Sequence, residues 1–223
     1  MTDPQAEIFP IFPTPIMTIV YSGDFKKEFE FIKNIPYDAK ECMFVQNKVV
    51  KTGSHFISKN TYLFKDYKEL TTLRKFMEKS LATYMEVALS SKEPLTITQS
   101  WTNRNPPGTS HHQHTHANSL ISGVFYFEDT GKDVPPIQFH KTPDAGFDIH
   151  PYKWTDLNSG ITFLPAKAGA LVIFPSNLQH SVPINEGKKT RYSLSFNTFC
   201  LGDLGNKKEL SYLNVSKLVK EET

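Results

Sequence analysis

The feature that most constrains this chain is a cluster of histidines that runs directly into a predicted β-strand. Four of the eight histidines lie within residues 111–116, and strand-forming residues follow at once, up to Phe127. If the cluster is extended, side chains two positions apart leave the backbone on the same face. His114 and His116 have this spacing, and so do His112 and His114. The spacing therefore predicts two ligands on one metal ion and leaves both pairs open.

The histidine cluster indicates a metal more clearly than it indicates which metal. Neutral imidazole is a common ligand of iron, zinc, copper and nickel alike. The alternative is a polar loop that is rich in histidine by composition, with rings that only cap a turn. A second segment, around residues 180–193, favours the metal site over the histidine-rich loop.

A second candidate segment surrounds residues 185–188, Asn-Glu-Gly-Lys, which predict a hairpin turn between two strands. With this turn, His180 is opposite Ser193 and Val182 is opposite Arg191. Directly opposed residues of an antiparallel pair point to one face, so the histidine, the arginine and the serine share a face.

These three polar groups are costly to bury unless they meet a metal, an anion or water. A carboxylate ligand would satisfy the guanidinium of Arg191 with two hydrogen bonds, and Ser193 would add a third. Tyr192, Leu194 and Phe196 point the other way, as an apolar stripe.

Taken together, the motifs resemble those of the Fe(II)/2-oxoglutarate-dependent dioxygenases, and more closely a subgroup of 2-oxoglutarate-Fe(II) oxygenases from marine bacteria and phages. The resemblance spans nearly the whole chain, and its ordered combination is specific although no single piece is. The motifs that carry it are Ile8-Phe-Pro-Ile-Phe-Pro-Thr-Pro15, Trp101-Thr-Asn103, His114-x-His116-x-Asn118-Ser119-x-x-Ser122-Gly123-Val124-x-Tyr126, Leu171-Val-Ile-Phe-Pro-Ser-x-Leu-x-His180 and Arg191-x-Ser193-x-Ser195-Phe196-Asn197.

The resemblance implies a mainly β (α+β) fold, a double-stranded β-helix of the jelly-roll, cupin-like type, with N-terminal helices packed on the outer face of one sheet. It implies Fe(II) on His114, His116 and His180, with 2-oxoglutarate as cosubstrate. The expected reaction is hydroxylation of an unidentified substrate with release of succinate and CO2. The residues expected to bind the cosubstrate are Arg191, Ser193, Asn103, Asn118 and Ser122.

One residue departs from the family pattern, because His116 stands where the family has a carboxylate. Either three histidines suffice, or a remote carboxylate such as Asp144 or Asp148 completes the site. Three neutral ligands leave the site one negative charge short, which weakens Fe(II) retention.

Two other functions stay open. The first is a cupin-type dioxygenase that uses three histidines and no 2-oxoglutarate, so that Arg191 binds a substrate carboxylate directly. The second is a non-catalytic jelly-roll binding module with a structural zinc, for which His112 or His140 would supply a fourth ligand.

Length and composition favour one domain of 223 residues, with 1–94 as a helical support region, 95–200 as the β-helix core and 201–223 as a C-terminal tail. A net charge of +2 without a long basic block gives no clear nucleic-acid surface. Cys42 and Cys200 are expected to be buried thiols. We found no signal peptide or membrane span, and we expect a cytoplasmic protein that binds small molecules, with a homodimer as an open possibility.

The remaining predictions concern local structure. Apolar spacing predicts helices over 24–35 and 66–89, the second with a buried stripe that includes Val87 and covers the outer face of the barrel. We also predict a strand at 16–21, a loop at 52–56 in which His55 faces solvent, and a short C-terminal helix built on Leu210, Leu213, Val215, Leu218 and Val219.

Overall fold

Two antiparallel sheets of seven and four strands form the framework of this computed structural model, which describes residues 7–40, 44–45, 48–49, 55–141, 151–155 and 157–215. The strands are β1 Met17–Val20, β2 Tyr37–Lys40, β3 Phe44–Val45, β4 Lys48–Val49, β5 His55–Ser58, β6 Leu95–Asn105, β7 His111–His114, β8 Ile121–Tyr126, β9 Ile137–His140, β10 Ile161–Leu164, β11 Ala170–Pro175, β12 His180–Val182, β13 Arg191–Cys200, β14 Asp203–Leu204 and β15 Leu213–Asn214. The helices are α1 Lys26–Asn34, α2 Leu63–Asp66 and α3 Thr71–Leu89, with 3-10 turns at Lys68–Leu70 and Lys207–Glu209.

The strand order identifies the fold as a jelly roll. The large sheet has the order β1-β11-β8-β13-β6-β5-β2, and the small sheet has the order β10-β9-β12-β7. From β6 to β13 the chain therefore passes back and forth between the two sheets. Strands of both sheets contribute to one buried cluster, which includes Val172 and Phe174 of β11 and Phe139 of β9. The double-stranded β-helix predicted from the sequence is confirmed.

Strands from the first part of the chain extend the large sheet at both ends. β1 pairs with β11 at one edge, as expected for a strand that follows a proline-rich lead-in. β5 pairs with β6, and β2 pairs with β5 at the other edge. The region that we predicted as a helical support thus also supplies three strands to the large sheet.

Helix α3 covers the outer face of the large sheet, as predicted. Its buried side chains Leu73, Met77 and Leu81 share one cluster with Leu194 and Phe196 of β13. Burial of such apolar side chains contributes roughly 1.5–3 kcal/mol each. None of the described helices is long and apolar enough to cross a membrane.

Val87 does not belong to the buried stripe of α3, in contrast to our prediction, because it is 73% exposed and the next residue, Ala88, continues the apolar face. The predicted C-terminal helix is also absent over 210–215, where Leu213–Asn214 pairs with Asp203–Leu204 instead. Residues 216–223, which include Leu218 and Val219, lie outside the described residues.

The predicted hairpin between β12 and β13 is wrong. β12 pairs with β7 and β9 in the small sheet, whereas β13 pairs with β6 and β8 in the large sheet. Residues 183–190 therefore connect the two sheets, and His180 lies opposite His114 instead of Ser193. The segment around Gly187 does reverse the chain, but it does not join paired strands, because β12 pairs with β7 and β9 instead.

Candidate functional site

Three histidines converge where β7 and β12 meet. His114 ends β7, His116 follows two residues later, and His180 opens β12 directly opposite His114. One ring nitrogen of each lies within 4.8 Å of those of the other two. The structure thus brings together the three side chains that the sequence resemblance nominated, in an arrangement that could hold a metal ion.

The ring protons of the three histidines are directed away from the shared space. Nδ1 of His114 lies 2.8 Å from the carbonyl oxygen of His112, and Nδ1 of His180 lies 2.9 Å from that of Leu178. Nδ1 of His116 lies 2.6 Å from Oδ1 of Asn197. An N–H that donates at Nδ1 leaves Nε2 of a neutral imidazole as a bare lone pair. All three rings therefore present an acceptor nitrogen to one point.

Burial keeps these rings neutral, which is the state that binds a metal. Desolvation is the main cause that lowers the pKa of His114 to about 4 and the pKa of His180 to about 3, and the neighbouring histidines add to it. Desolvation also lowers the pKa of His116, although its hydrogen bond to Asn197 acts in the opposite direction.

Within the described ranges, no other histidine, cysteine, aspartate or glutamate joins this group. His140, one of the candidates for a fourth ligand, places Nε2 2.8 Å from Oγ of Ser181 instead. His112, the other candidate, is exposed; its carbonyl oxygen lies 2.8 Å from Nδ1 of His114, and its ring lies 5.1 Å from that of His114 without joining the group of three. The carboxylates Asp144 and Asp148 lie outside the described residues.

A pocket leads from the three histidines into the space between the sheets. It is narrow, with a volume of about 30 Å³, enough for one or two water molecules. A larger ligand must therefore push the surrounding side chains apart. The lining comprises Trp101, Asn103, His111, His114, His116, Gly123, Val124, Ile137, Phe174, His180, Val182, Arg191, Ser193 and Ser195.

Arg191 lies at the inner part of this pocket and is only 2% exposed. Its Nε donates to the carbonyl oxygen of Pro135 over 3.1 Å, and one terminal nitrogen donates to Oγ of Ser193 over 3.2 Å. The same nitrogen lies 3.4 Å from Oδ1 of Asn105. No aspartate or glutamate of the described chain forms an ion pair with it, and burial lowers its pKa. Among the described residues, it is therefore a buried positive charge without a counter-charge.

Two buried amide groups next to Arg191 also lack partners within the described chain. Nδ2 of Asn105 and Oδ1 of Asn103 are inaccessible to solvent and make no hydrogen bond, although Asn103 donates from Nδ2 to Ser195. Nearly all buried polar atoms in native proteins are satisfied, so unpaired ones indicate a missing water or ligand. Nδ2 of Asn105 and the guanidinium of Arg191 can therefore donate to an anion, whereas Oδ1 of Asn103 is an acceptor and needs a donor such as a water molecule.

The structure places the other predicted cosubstrate residues differently. Asn118 is exposed in the turn after His116, with a φ of 55°, and it does not line the pocket. Ser122 is fully buried behind His116, with Oγ 2.7 Å from Nδ1 of that ring, so it supports a ligand instead of facing the cavity. Trp101 lines the pocket and contacts the ring of His116 edge-on at 5.6 Å.

Sequence reasoning missed a stack of imidazoles beside the site. His55, expected in a solvent-facing loop, begins β5, is 1% exposed and stacks on His111 with ring centroids 3.8 Å apart. His111 in turn stacks on His114 at 4.4 Å. Gly53 and Ser54 suggested a loop, whereas the strand-forming pair Phe56-Ile57 was the weak signal that could have placed His55 in the sheet.

The central part of the chain matches a known family model. Residues 99–197 match a family model described as "Putative 2OG-Fe(II) oxygenase", which confirms for this segment the family resemblance that the motifs indicated. The marine bacterial and phage subgroup stays a prediction. A comparison with curated proteins found no significant match.

Solved structures share the fold. The non-heme alpha ketoglutarate dependent epimerase SnoN of nogalamycin biosynthesis superposes with a TM-score of 0.60 at 12% identity, over 85% of this chain and 80% of its own. HygX of Streptomyces hygroscopicus, solved with nickel, 2-oxoglutarate and hygromycin B, gives 0.58 at 11% identity, over 83% and 82%. A prolyl-4-hydroxylase of Pseudomonas putida gives 0.53 at 14% identity, over 83% and 94%.

Proposed function

We propose that this protein is an Fe(II)- and 2-oxoglutarate-dependent dioxygenase that hydroxylates a substrate and releases succinate and CO2. The observation that carries the proposal is the pairing, in one pocket, of three bare imidazole nitrogens with a buried guanidinium that has no carboxylate partner in the described chain. The family match over residues 99–197 and the 2-oxoglutarate named for the similarly folded HygX support it.

In this proposal His114, His116 and His180 hold the metal through Nε2. Their donor set suits a divalent first-row metal, and the protein leaves the remaining coordination positions for ligands, as catalytic sites do. When bound, Fe(II) and 2-oxoglutarate supply the oxidising chemistry, in which the keto acid is decarboxylated as oxygen is inserted into a C–H bond.

Arg191 is proposed to bind the distal carboxylate of 2-oxoglutarate. The guanidinium can form two parallel hydrogen bonds with a carboxylate, and Ser193 lies beside it. The unpaired Nδ2 of Asn105 offers a further donor. Binding of this dianion would neutralise the buried charge and satisfy donors that otherwise lack partners.

The pocket wall orients the cosubstrate and excludes water. Phe174, Val182, Val124 and Ile137 give the cavity apolar sides between the metal ligands and Arg191. A dry pocket strengthens the electrostatic attraction between the guanidinium and a carboxylate. Because the described cavity is small, binding of 2-oxoglutarate requires these side chains or His111 to shift.

The test is an anaerobic titration of the purified protein with Fe(II) and then with 2-oxoglutarate. We expect a weak visible absorption band from the metal-chelated keto acid. Arg191→Ala should retain the metal and lose the band, whereas His180→Ala should lose the metal. Arg74→Ala, which removes a partly exposed arginine of α3, is the matched control and should behave as the wild type.

Other outcomes select the rival functions. Iron binding without a band in the wild type, with oxygen uptake that does not depend on 2-oxoglutarate, would favour a three-histidine cupin-type dioxygenase. Binding of zinc alone, with every coordination position filled by protein, would favour a binding module. Loss of iron in His112→Ala with retention in His116→Ala would shift the ligand pair by one step.

A further inference from the structure

A histidine in place of a carboxylate ligand creates a requirement that a carboxylate does not have. Either oxygen of a carboxylate can bind a metal, whereas an imidazole binds through Nε2 only when the proton sits on Nδ1. A partner that accepts from Nδ1 fixes that tautomer and the direction of the ring. The third ligand of this site therefore needs a proton acceptor behind it.

The three histidines meet this requirement in two ways. His114 and His180 donate to backbone carbonyl groups, which no side-chain replacement removes. His116 instead faces side chains, with Oδ1 of Asn197 at 2.6 Å and Oγ of Ser122 at 2.7 Å. Its tautomer alone among the three depends on side chains.

The hydroxyl protons of Ser122 and Ser176 are directed toward Asn197. Oγ of Ser122 donates to Oδ1 of Asn197 over 2.9 Å, so it has no proton left for His116. Oγ of Ser176 lies 2.7 Å from Oγ of Ser122 and 2.7 Å from Oγ of Ser119. Since Ser122 has already donated, Ser176 donates to it. Both neighbours of Nδ1 of His116 therefore offer lone pairs, and the ring must carry its proton there.

The backbone places Asn197 for this contact. Arg191, Ser193 and Asn197 lie on the same face of β13 by alternation, the face that lines the pocket. Asn197 pairs with Ser122 across β13 and β8, and the pairing of β13 with β6 shifts register between Asn197 and Thr198. Irregularities of this kind re-aim a side chain next to a functional site.

From these contacts we infer that Asn197, supported by Ser122 and Ser176, is a positioning residue that converts His116 into a metal ligand at the place of a carboxylate. The inference rests on the proposed function, because it concerns the third ligand of the same metal. Asn197 touches neither metal nor cosubstrate and acts through the ring of His116.

The test compares Co(II) affinity of the wild type, Asn197→Leu and Asn197→Asp under anaerobic conditions. Asn197→Leu keeps a similar volume but removes the acceptor, and it should weaken Co(II) binding by about 10- to 100-fold. Asn197→Asp keeps the acceptor and cannot rotate a donor into its place, so it should bind at least as tightly as the wild type. Thermal unfolding of each metal-free variant checks that the fold is intact.

A second readout is the tautomer of His116 in the metal-free protein, measured from imidazole nitrogen shifts by NMR. We expect Nδ1–H in the wild type and in Asn197→Asp, and a mixture in Asn197→Leu, which a role in packing alone would not produce. If Asn197→Leu fails to fold, Asn197→Ala removes the same acceptor without adding a branched side chain, and it should likewise weaken Co(II) binding with a mixed tautomer.

The outcomes separate this inference from the proposed function. If the wild type does not bind Co(II), or His180→Ala binds it as tightly, the metal site itself is wrong. If the wild type binds Co(II) through His180 but Asn197→Leu matches its affinity and tautomer, only the role of Asn197 is overturned. An Asn197→Asp variant as weak as Asn197→Leu would also overturn it.

Discussion

Nε2 of His114 and Nε2 of His116 lie 3.3 Å apart, and each ring keeps its proton on the opposite nitrogen. Two lone pairs at this distance repel unless a cation lies between them. Nε2 of His180 faces the same point and adds a third lone pair. The folded protein therefore holds three rings in an arrangement that a bound cation would stabilise.

A divalent metal should accordingly stabilise the fold. With Ni(II) at 100 times its Kd, the gain is about 2.7 kcal/mol for one site that binds the folded state alone. Differential scanning calorimetry should show a rise in Tm for the wild type that depends on metal concentration. His114→Ala should show none. An equal rise in both proteins would mean that the metal binds elsewhere.

The metal-free protein should lose stability as the pH falls from about 6.5 to 4. Folding lowers the pKa of His55 and of His114 to about 4, mainly by desolvation, from an unperturbed value near 6.5. The unfolded chain therefore takes up protons first, so the stability is complete above pH 6.5 and falls through this window.

Urea unfolding across this range measures the effect, with about 1.4 kcal/mol for each pKa unit. His55→Phe removes one of the titrating rings while keeping an aromatic face for His111, and it should reduce the slope. Saturating Ni(II) should move the loss to lower pH, because the metal competes with protons for His114. A stability that stays constant between pH 6.5 and 4 would contradict the buried, neutral state of these rings.

Local periodicity predicted which faces of the helices and strands are buried, whereas the jelly-roll fold was predicted from the family resemblance. The spacing of Leu73, Met77 and Leu81 placed α3 on the large sheet, and the alternation along β13 placed Arg191 on the interior face. These features depend on which side of an element meets the core, and neighbouring residues alone determine that.

Strand partners could not be predicted in the same way. The sequence predicted β12 against β13, because a turn-forming segment separates them, but β12 lies between β9 and β7 in the small sheet. His180 and Arg191 still line one pocket, because the two sheets face each other. The candidate site was thus predicted from a pairing that does not exist. The network behind His116 was missed because Ser122, Ser176 and Asn197 come together only through β8, β11 and β13.

Gly123 is required by the packing of β8 against the helical layer. A Cβ at this position would lie 2.4 Å from Cζ of Phe196, the buried residue that pairs with it on β13. Gly123→Ala should therefore destabilise the protein by about 1–3 kcal/mol, the usual cost of overpacking. Gly160→Ala is the control, because nothing lies within 4 Å of its added Cβ.

Unfolding midpoints in urea, measured for Gly123→Ala, Gly160→Ala and the wild type, test this destabilisation. Phe196→Leu in the Gly123→Ala background should recover part of the lost stability. Equal midpoints for Gly123→Ala and the wild type would mean that the space serves the pocket and not the core.

Arg191 should contribute to cosubstrate binding at the expense of stability. Its guanidinium is buried with neutral hydrogen-bond partners and without a carboxylate in the described chain, so its desolvation is poorly compensated. Arg191→Met fills a similar volume without the charge, and we expect its stability at pH 7 to stay within about 1 kcal/mol of the wild type or to rise.

The rise in Tm that 2-oxoglutarate produces with Ni(II) should disappear in this variant and persist in Arg74→Met. A loss above about 3 kcal/mol in Arg191→Met would instead show that the protein itself satisfies the guanidinium.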